Sequence, residues 1–163
     1  MTRSVPIHRR TSRSYMFLGV RMTILLSSEQ TGSSFTLIEG VMEPGGDGGL
    51  HVHQNDDESM HLLEGTLQVT IGNETFTLLP GESYFAPRNI PHRVKNVGDV
   101  PARALLITTP GSFDEFIARA GLPIIGEKYF PSSEPPTPNQ IQELIPLAGE
   151  FGIEILAPPD PHL

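Results

Sequence analysis

The chain has 163 residues, 37% of them hydrophobic and 18% charged, which suits one globular domain and excludes a disordered polymer. Its net charge of −8 is uneven: residues 1–21 hold Arg3, Arg9, Arg10, Arg13 and Arg21 and no acid, so all 19 acids fall on the remainder, and an acidic body lacks the basic footprint of a nucleic-acid binder. There is no cysteine, which excludes disulfides and thiolate metal sites, and no apolar run reaches the length of a membrane span.

Residues 1–14 read as a flexible basic arm. The apolar run Met16–Val20 is cut by Arg21, and no long apolar region follows Arg9-Arg10. Neither a signal peptide nor a twin-arginine leader is expected, and the protein is expected in the cytoplasm. From Tyr15 to Leu26 the sequence suits one or two short strands, and Ser33–Glu43 a further strand. The glycine-rich stretch Pro44–Gly49 lacks the Lys-Ser/Thr of a phosphate loop, so it reads as a turn that lets the backbone approach something closely. Short strand-like runs follow at Leu50–His53, Ser59–Leu63, Leu67–Ile71, Thr75–Leu79, Ser83–Ala86, His92–Asn96 and Ala102–Thr109. Turn residues separate them, with Gly72-Asn73 marking a hairpin. Closely spaced strands with regular turns, in a chain with 16 Gly and 16 Pro, imply an all-β sandwich or barrel over residues 15–110.

Residues 111–163 change character. Ser112 is placed to cap a helix over Phe113–Ala120, ended by Gly121 and Pro123. PSSEPPTP at 131–138 reads as an extended linker. Thr137-Pro138-Asn139-Gln140 then combines a capping box with Pro at the first helical position. Ile141, Leu144, Ile145 and Ala148 share one face of the helix that follows, and the chain closes on the apolar run Ile153–Leu156. This helical extension is expected to pack on the barrel or on a partner subunit.

One constellation carries chemistry. His51 and His53 lie two apart in a strand and so project from the same face. Glu58, after a four-residue turn, can stand beside them. Two imidazoles and a carboxylate on a β-scaffold make a ligand set with open positions, suited to redox-active or Lewis-acid metals rather than closed structural zinc. His92 can add a third imidazole once the sheet rolls up. Asn89, among turn residues, tolerates left-handed backbone.

The blocks Gly45, His51, His53, Glu58, Gly65 and Gly81, Pro87, His92, Asn96 resemble the two signature motifs of the cupin family in order and spacing. The departure is Asn89, where the family usually has glycine. The resemblance implies a double-stranded β-helix (jelly-roll) barrel like that of small quercetin-dioxygenase-like cupins, with short C-terminal helices. It also implies a homodimer and a small-molecule ligand, with neither membrane nor nucleic acid as partner. Three neutral imidazoles and a carboxylate suit one divalent transition metal, Mn, Fe, Ni, Cu or Zn. Likeness to quercetinase-like cupins implies a second role for Glu58, as general base beside the metal. A dioxygenase-like enzyme on a small oxygenated molecule is the leading expectation. Non-redox isomerase, lyase or cyclase chemistry and a non-catalytic sensing module stay open, because fold alone names no reaction.

Other residues take plainer readings. His61, three after Glu58, is expected on the opposite face. Asp47, Asp56 and Asp57 read as solvated loop acids, and Arg88 and Arg93 as surface charge unless they meet an anionic substrate. Met42, Met60 and Phe85 read as core or pocket lining. His8 and His162 are expected at exposed termini.

Overall fold

The computed structural model describes residues 13–126 and 134–160. The basic arm up to residue 12, the first residues of the proline-rich linker, and His8 and His162 lie outside them. In chain order the elements are strands β1 (Arg13–Phe17) and β2 (Val20–Leu26), a one-turn helix α1 (Ser28–Thr31), then β3 (Thr36–Met42), β4 (Leu50–His53), β5 (Asp57–Glu64), β6 (Leu67–Ile71), β7 (Glu74–Leu78), β8 (Ser83–Ala86), β9 (His92–Asn96) and β10 (Ala102–Thr109). Helix α2 (Phe113–Ala120), the two-residue β11 (Leu122–Pro123), helix α3 (Pro138–Glu150) and β12 (Ile153–Ala157) complete the described chain.

The strands form two antiparallel sheets that enclose a jelly-roll barrel. One runs β11-β1-β2-β3-β10-β5-β8 and the other β12-β4-β9-β6-β7. Alternation decides which side chains enter. In β10, Ala102, Ala104, Leu106 and Thr108 are buried while Arg103, Leu105 and Ile107 point outward, as a period of two requires. Gly72-Asn73 closes the hairpin that pairs Ile71 with Glu74. Gly65 closes the turn between β5 and β6 at φ +87°, and a Cβ there would lie 2.7 Å from Ala102 Cα. That position tolerates only glycine, for both conformation and space.

Two apolar clusters fill the interior. Leu62, Leu67, Val69 and Leu78 centre one of them. Phe17, Ile38, Phe116, Ile117, Leu144 and Ala148 belong to the other, which joins the seven-stranded sheet to α2 and α3. The expected capping box of α3 is present, Thr137 Oγ1 accepting from Gln140 N and the Gln140 side chain from Thr137 N. Ser112 stands at the N-cap of α2, but its side chain makes no capping bond.

Two features were not expected from the sequence, and a third gives an expected one its partner. Helix α1 is a single turn with its own capping box between Ser27 and Gln30. The run Ile153–Ala157 is an edge strand of the five-stranded sheet, with Ile155 opposite His51. The glycine-rich stretch lies along β9, Gly45 N–H donating to Asn96 O and Gly48 N–H to Val94 O; its backbone does come close, to a strand.

Candidate metal centre

The two sheets meet at the four expected ligands. His51 and His53 come from β4, and His92 from β9, where it is the direct cross-strand partner of His51. Glu58 comes from β5 in the other sheet, paired with Thr108 on one side and Ala86 on the other. Asn89 adopts φ +65°, and its N–H donates to His53 O at 2.7 Å. The turn before His92 is thereby tied to the strand that carries the first two histidines.

One ligand atom from each of His51, His53, Glu58 and His92 can be chosen so that all lie within 4.8 Å of one another. Glu58 Oε2 is 3.6 Å from His53 Nε2 and 3.5 Å from His92 Nε2, too far for well-formed hydrogen bonds. Nδ1–H of His51 donates to Gly49 O and Nδ1–H of His92 to Ile90 O, both at 3.1 Å. A carbonyl only accepts, so both rings carry the proton on Nδ1 and leave the Nε2 lone pair free for a metal. The nearest acid to His53 Nδ1 is the buried Asp56, 3.7 Å away.

These residues pass a physical test of fit. His53 Nδ1 and Nε2 and His92 Nε2 are buried without a hydrogen-bond partner. Each orphan of this kind costs about 1–3 kcal/mol, and a divalent cation among the four side chains would satisfy both Nε2 atoms. Burial lowers the pKa of His51 to about 3, with its neighbours His92 and His53 adding to the effect, so its ring is neutral at physiological pH. Burial alone would raise the pKa of Glu58, but the surrounding histidines, His92 foremost, outweigh it and hold the carboxyl well below the usual range. Burial would lower His92, and the Glu58 carboxylate turns that into a rise. Tyr84 donates its buried hydroxyl to Glu58 Oε1. Burial first, and then the Glu58 charge, push its pKa well above 10, which keeps it a proton donor. Sequence reading gave Tyr84 no part in the site.

A cavity of about 110 Å³ opens beside the cluster, with His51 and Glu58 in its wall. Much of the rest is apolar, Met22, Met42, Met60, Leu106 and Phe113 among its lining residues. Met42 and Met60 thus line the pocket, whereas Phe85 turns out to solvent at 58% exposure. His61 does lie on the outer face, hydrogen-bonded to Ser83 Oγ. Asp47 and Asp56 are not solvated loop acids: both are buried, and Asp47 is ion-paired with Arg93. Arg88 is committed to Asp57 through two side-chain contacts, at 3.1 and 2.8 Å, so neither arginine is a free anion receptor. No described helix is long and apolar enough to cross a membrane.

Comparison with known proteins agrees with this geometry. Residues 39–108 match the family model described as "Cupin domain". An uncharacterised protein of Methanocaldococcus jannaschii, MJ1618, is 32% identical over 79 residues, which are 48% of this chain and 63% of that one. The tetracenomycin polyketide synthase protein TcmJ of Streptomyces glaucescens is 29% identical over 111 residues, covering 68% of this chain and 69% of that one. The quercetin 2,3-dioxygenase of Bacillus subtilis is a distant homologue, 26% identical over 125 residues that are 75% of this chain but 34% of that one. The chain therefore spans less than two thirds of some of the relatives it matches. Among solved structures, KdgF from Halomonas sp. superposes with a TM-score of 0.59 at 18% identity, over 69% of this chain and 98% of that one, a likeness of fold alone. Spaced motifs, two-sheet barrel and matched residues agree, and residues 39–108 are a cupin domain.

Proposed function

We propose that this cupin is a metal-dependent enzyme of dioxygenase-like type, acting on a small oxygenated organic molecule with an apolar body. One observation carries the reading: the His51, His53, Glu58 and His92 cluster borders a largely apolar cavity through His51 and Glu58. A divalent transition metal held there supplies a Lewis acid that binds substrate oxygens and, if redox-active, a centre for dioxygen. The chain's own residues do the rest. The three imidazoles would hold the ion through ring nitrogens, and Glu58 would add one negative charge. Glu58 is ionised, and Oε2, the oxygen that Tyr84 leaves free, would hold the ion or, released from it, accept a proton from a substrate hydroxyl. Tyr84 fixes the carboxylate by one oxygen. Methionine and phenylalanine walls exclude water and give the substrate's apolar body a place away from the ligands.

The homology to a protein named for quercetin, an oxygenated aromatic, supports this substrate class. Oxygen uptake by Fe-, Mn-, Ni- or Cu-loaded protein over a panel of flavonols, diketones and catechols is the test. Uptake on one of them, lost in Glu58→Gln, is expected. Silence on the whole panel would remove the dioxygenase reading. A second reading, non-redox ring closure or isomerisation, is favoured by the likeness to TcmJ, a polyketide synthase protein covered over 69% of its length. Turnover that survives strict anaerobiosis with Zn in the site would decide for it.

A further inference from the structure

The cupin domain does not enclose the cavity alone. Met42, Leu50, Met60 and Leu106 line it from within residues 39–108. Further wall comes from the end of the chain: Ile141 and Leu144 of α3, Ile153 and Ile155 of β12, and Pro159. Strand β12 reaches this place by pairing with the ligand strand β4, Ile155 opposite His51 and Ala157 opposite Leu50.

Beyond β12 the chain stays on the barrel. The Asp160 N–H donates to Asp47 Oδ2 at 2.8 Å. The Asp160 carboxylate meets Lys95 Nζ at 2.5 Å and Arg93 Nη2 at 2.9 Å. Asp47, buried beneath, is itself paired with Arg93 and accepts the Gly49 N–H at 2.9 Å. The fit is close. Gly49 sits at φ +73°, and a Cβ there would lie 2.9 Å from Ala157 O and 3.2 Å from Pro159 Cδ. Pro158 and Pro159 stiffen the segment. The carboxylate end of the latch is open to solvent, Asp160 being 63% exposed at its side chain, so salt screens these ion pairs.

We propose that residues 153–160 are the cover and specificity wall of the cavity. Ile155 and Pro159 set the largest apolar body it holds when shut, and release of Asp160 from Arg93 and Lys95 admits larger ones. A dry cavity of roughly 150 Å³ holds benzene, so about 110 Å³ accommodates at most one ring. A two-ring body must displace the cover. The inference rests on the reading of this cavity as a ligand site, and not on the metal.

The test uses the full chain, metal-free, with two neutral probes: p-cresol, one ring, followed by calorimetry, and N-phenyl-1-naphthylamine, followed by its fluorescence. Asp160→Lys places a cation against Arg93 and Lys95 at an exposed position and leaves the core intact. Pro159→Gly opens the same end of the cavity without changing charge. If the cover is shut nine-tenths of the time in the wild type, opening it tightens the larger probe about tenfold. That gain is expected in both variants, with p-cresol affinity unchanged within about twofold, and raised NaCl should mimic Asp160→Lys in the wild type. Unchanged affinity for the larger probe in both variants, or no binding of p-cresol by any form, would overturn the cover. The probe pattern persisting while Mn(II) fails to bind would instead sink the metal reading and leave the cover standing.

Discussion

Glu58 shows how much one side chain is asked to do in this barrel. Oε1 is taken by the Tyr84 hydroxyl, so Oε2, which faces His53 and His92, is the oxygen left for a metal. Tyr84→Phe leaves Oε1 buried without a donor. The expected result is a loss of about 1–3 kcal/mol of stability in urea and 10–100-fold weaker metal binding by chelator competition. Wild-type affinity in the folded variant would mean that Tyr84 does not orient Glu58. The sequence could not single out Tyr84. In SYFA two aromatics are adjacent and alternation does not say which turns inward; the register that sets Met60 opposite Tyr84 does. The burial of Asp47 was hidden for a similar reason, because its partner Arg93 is 46 residues away. Burial would raise the Asp47 carboxyl, but Arg93 and the backbone N–H groups of Asp160 and Gly49 hold it below 3.8. A folded pKa below the unfolded one gives stability that is fully present above about pH 4–5 and lost as pH falls through the folded value. The advantage of wild type over Asp47→Asn in thermal unfolding should therefore be constant near neutrality and shrink below about pH 4. An advantage that grows on acidification would contradict the pairing.

At the scale of elements, β4 through β10 were legible almost to the residue, because turn residues bound each run and the two motifs fix their order. Helix α3 was legible from its cap. Thr137→Ala removes the bond from Gln140 N and is expected to cost about 1 kcal/mol, seen as a lower Tm with the barrel's β signature retained in circular dichroism. No change in Tm would show that α3 is held by Ile141, Leu144 and Ala148 alone. Strand β12 was legible only as an apolar run. Five residues show propensity but not a partner, and its partner β4 lies about a hundred residues earlier. That pairing converts the chain's end from an appendage into the strand beside the ligands. Helix α1, four residues long, is too short for any periodicity to declare it.

For the whole molecule, the clustering of His51, His53, Glu58 and His92 was legible and the cavity was not. Histidine spacing in a strand and a motif twenty residues on identify donors, whereas a cavity is a property of what several distant elements leave unfilled. Metal and fold are linked. An ion that binds the native state alone stabilises it by RT ln(1 + [M]/Kd), about 2.7 kcal/mol at a hundredfold excess over Kd. Mn(II) should thus raise the Tm of stripped protein, and a chelator should reverse the rise. The central claim is that four side chains from two sheets hold one ion, and calorimetric titration of metal-stripped protein with Mn(II) or Ni(II) tests it most directly. The account predicts one site per chain in the wild type, and binding weakened at least about a hundredfold in His51→Ala and in His92→Ala. Titration without heat or saturation in the wild type, or an unchanged isotherm in both variants, would contradict it.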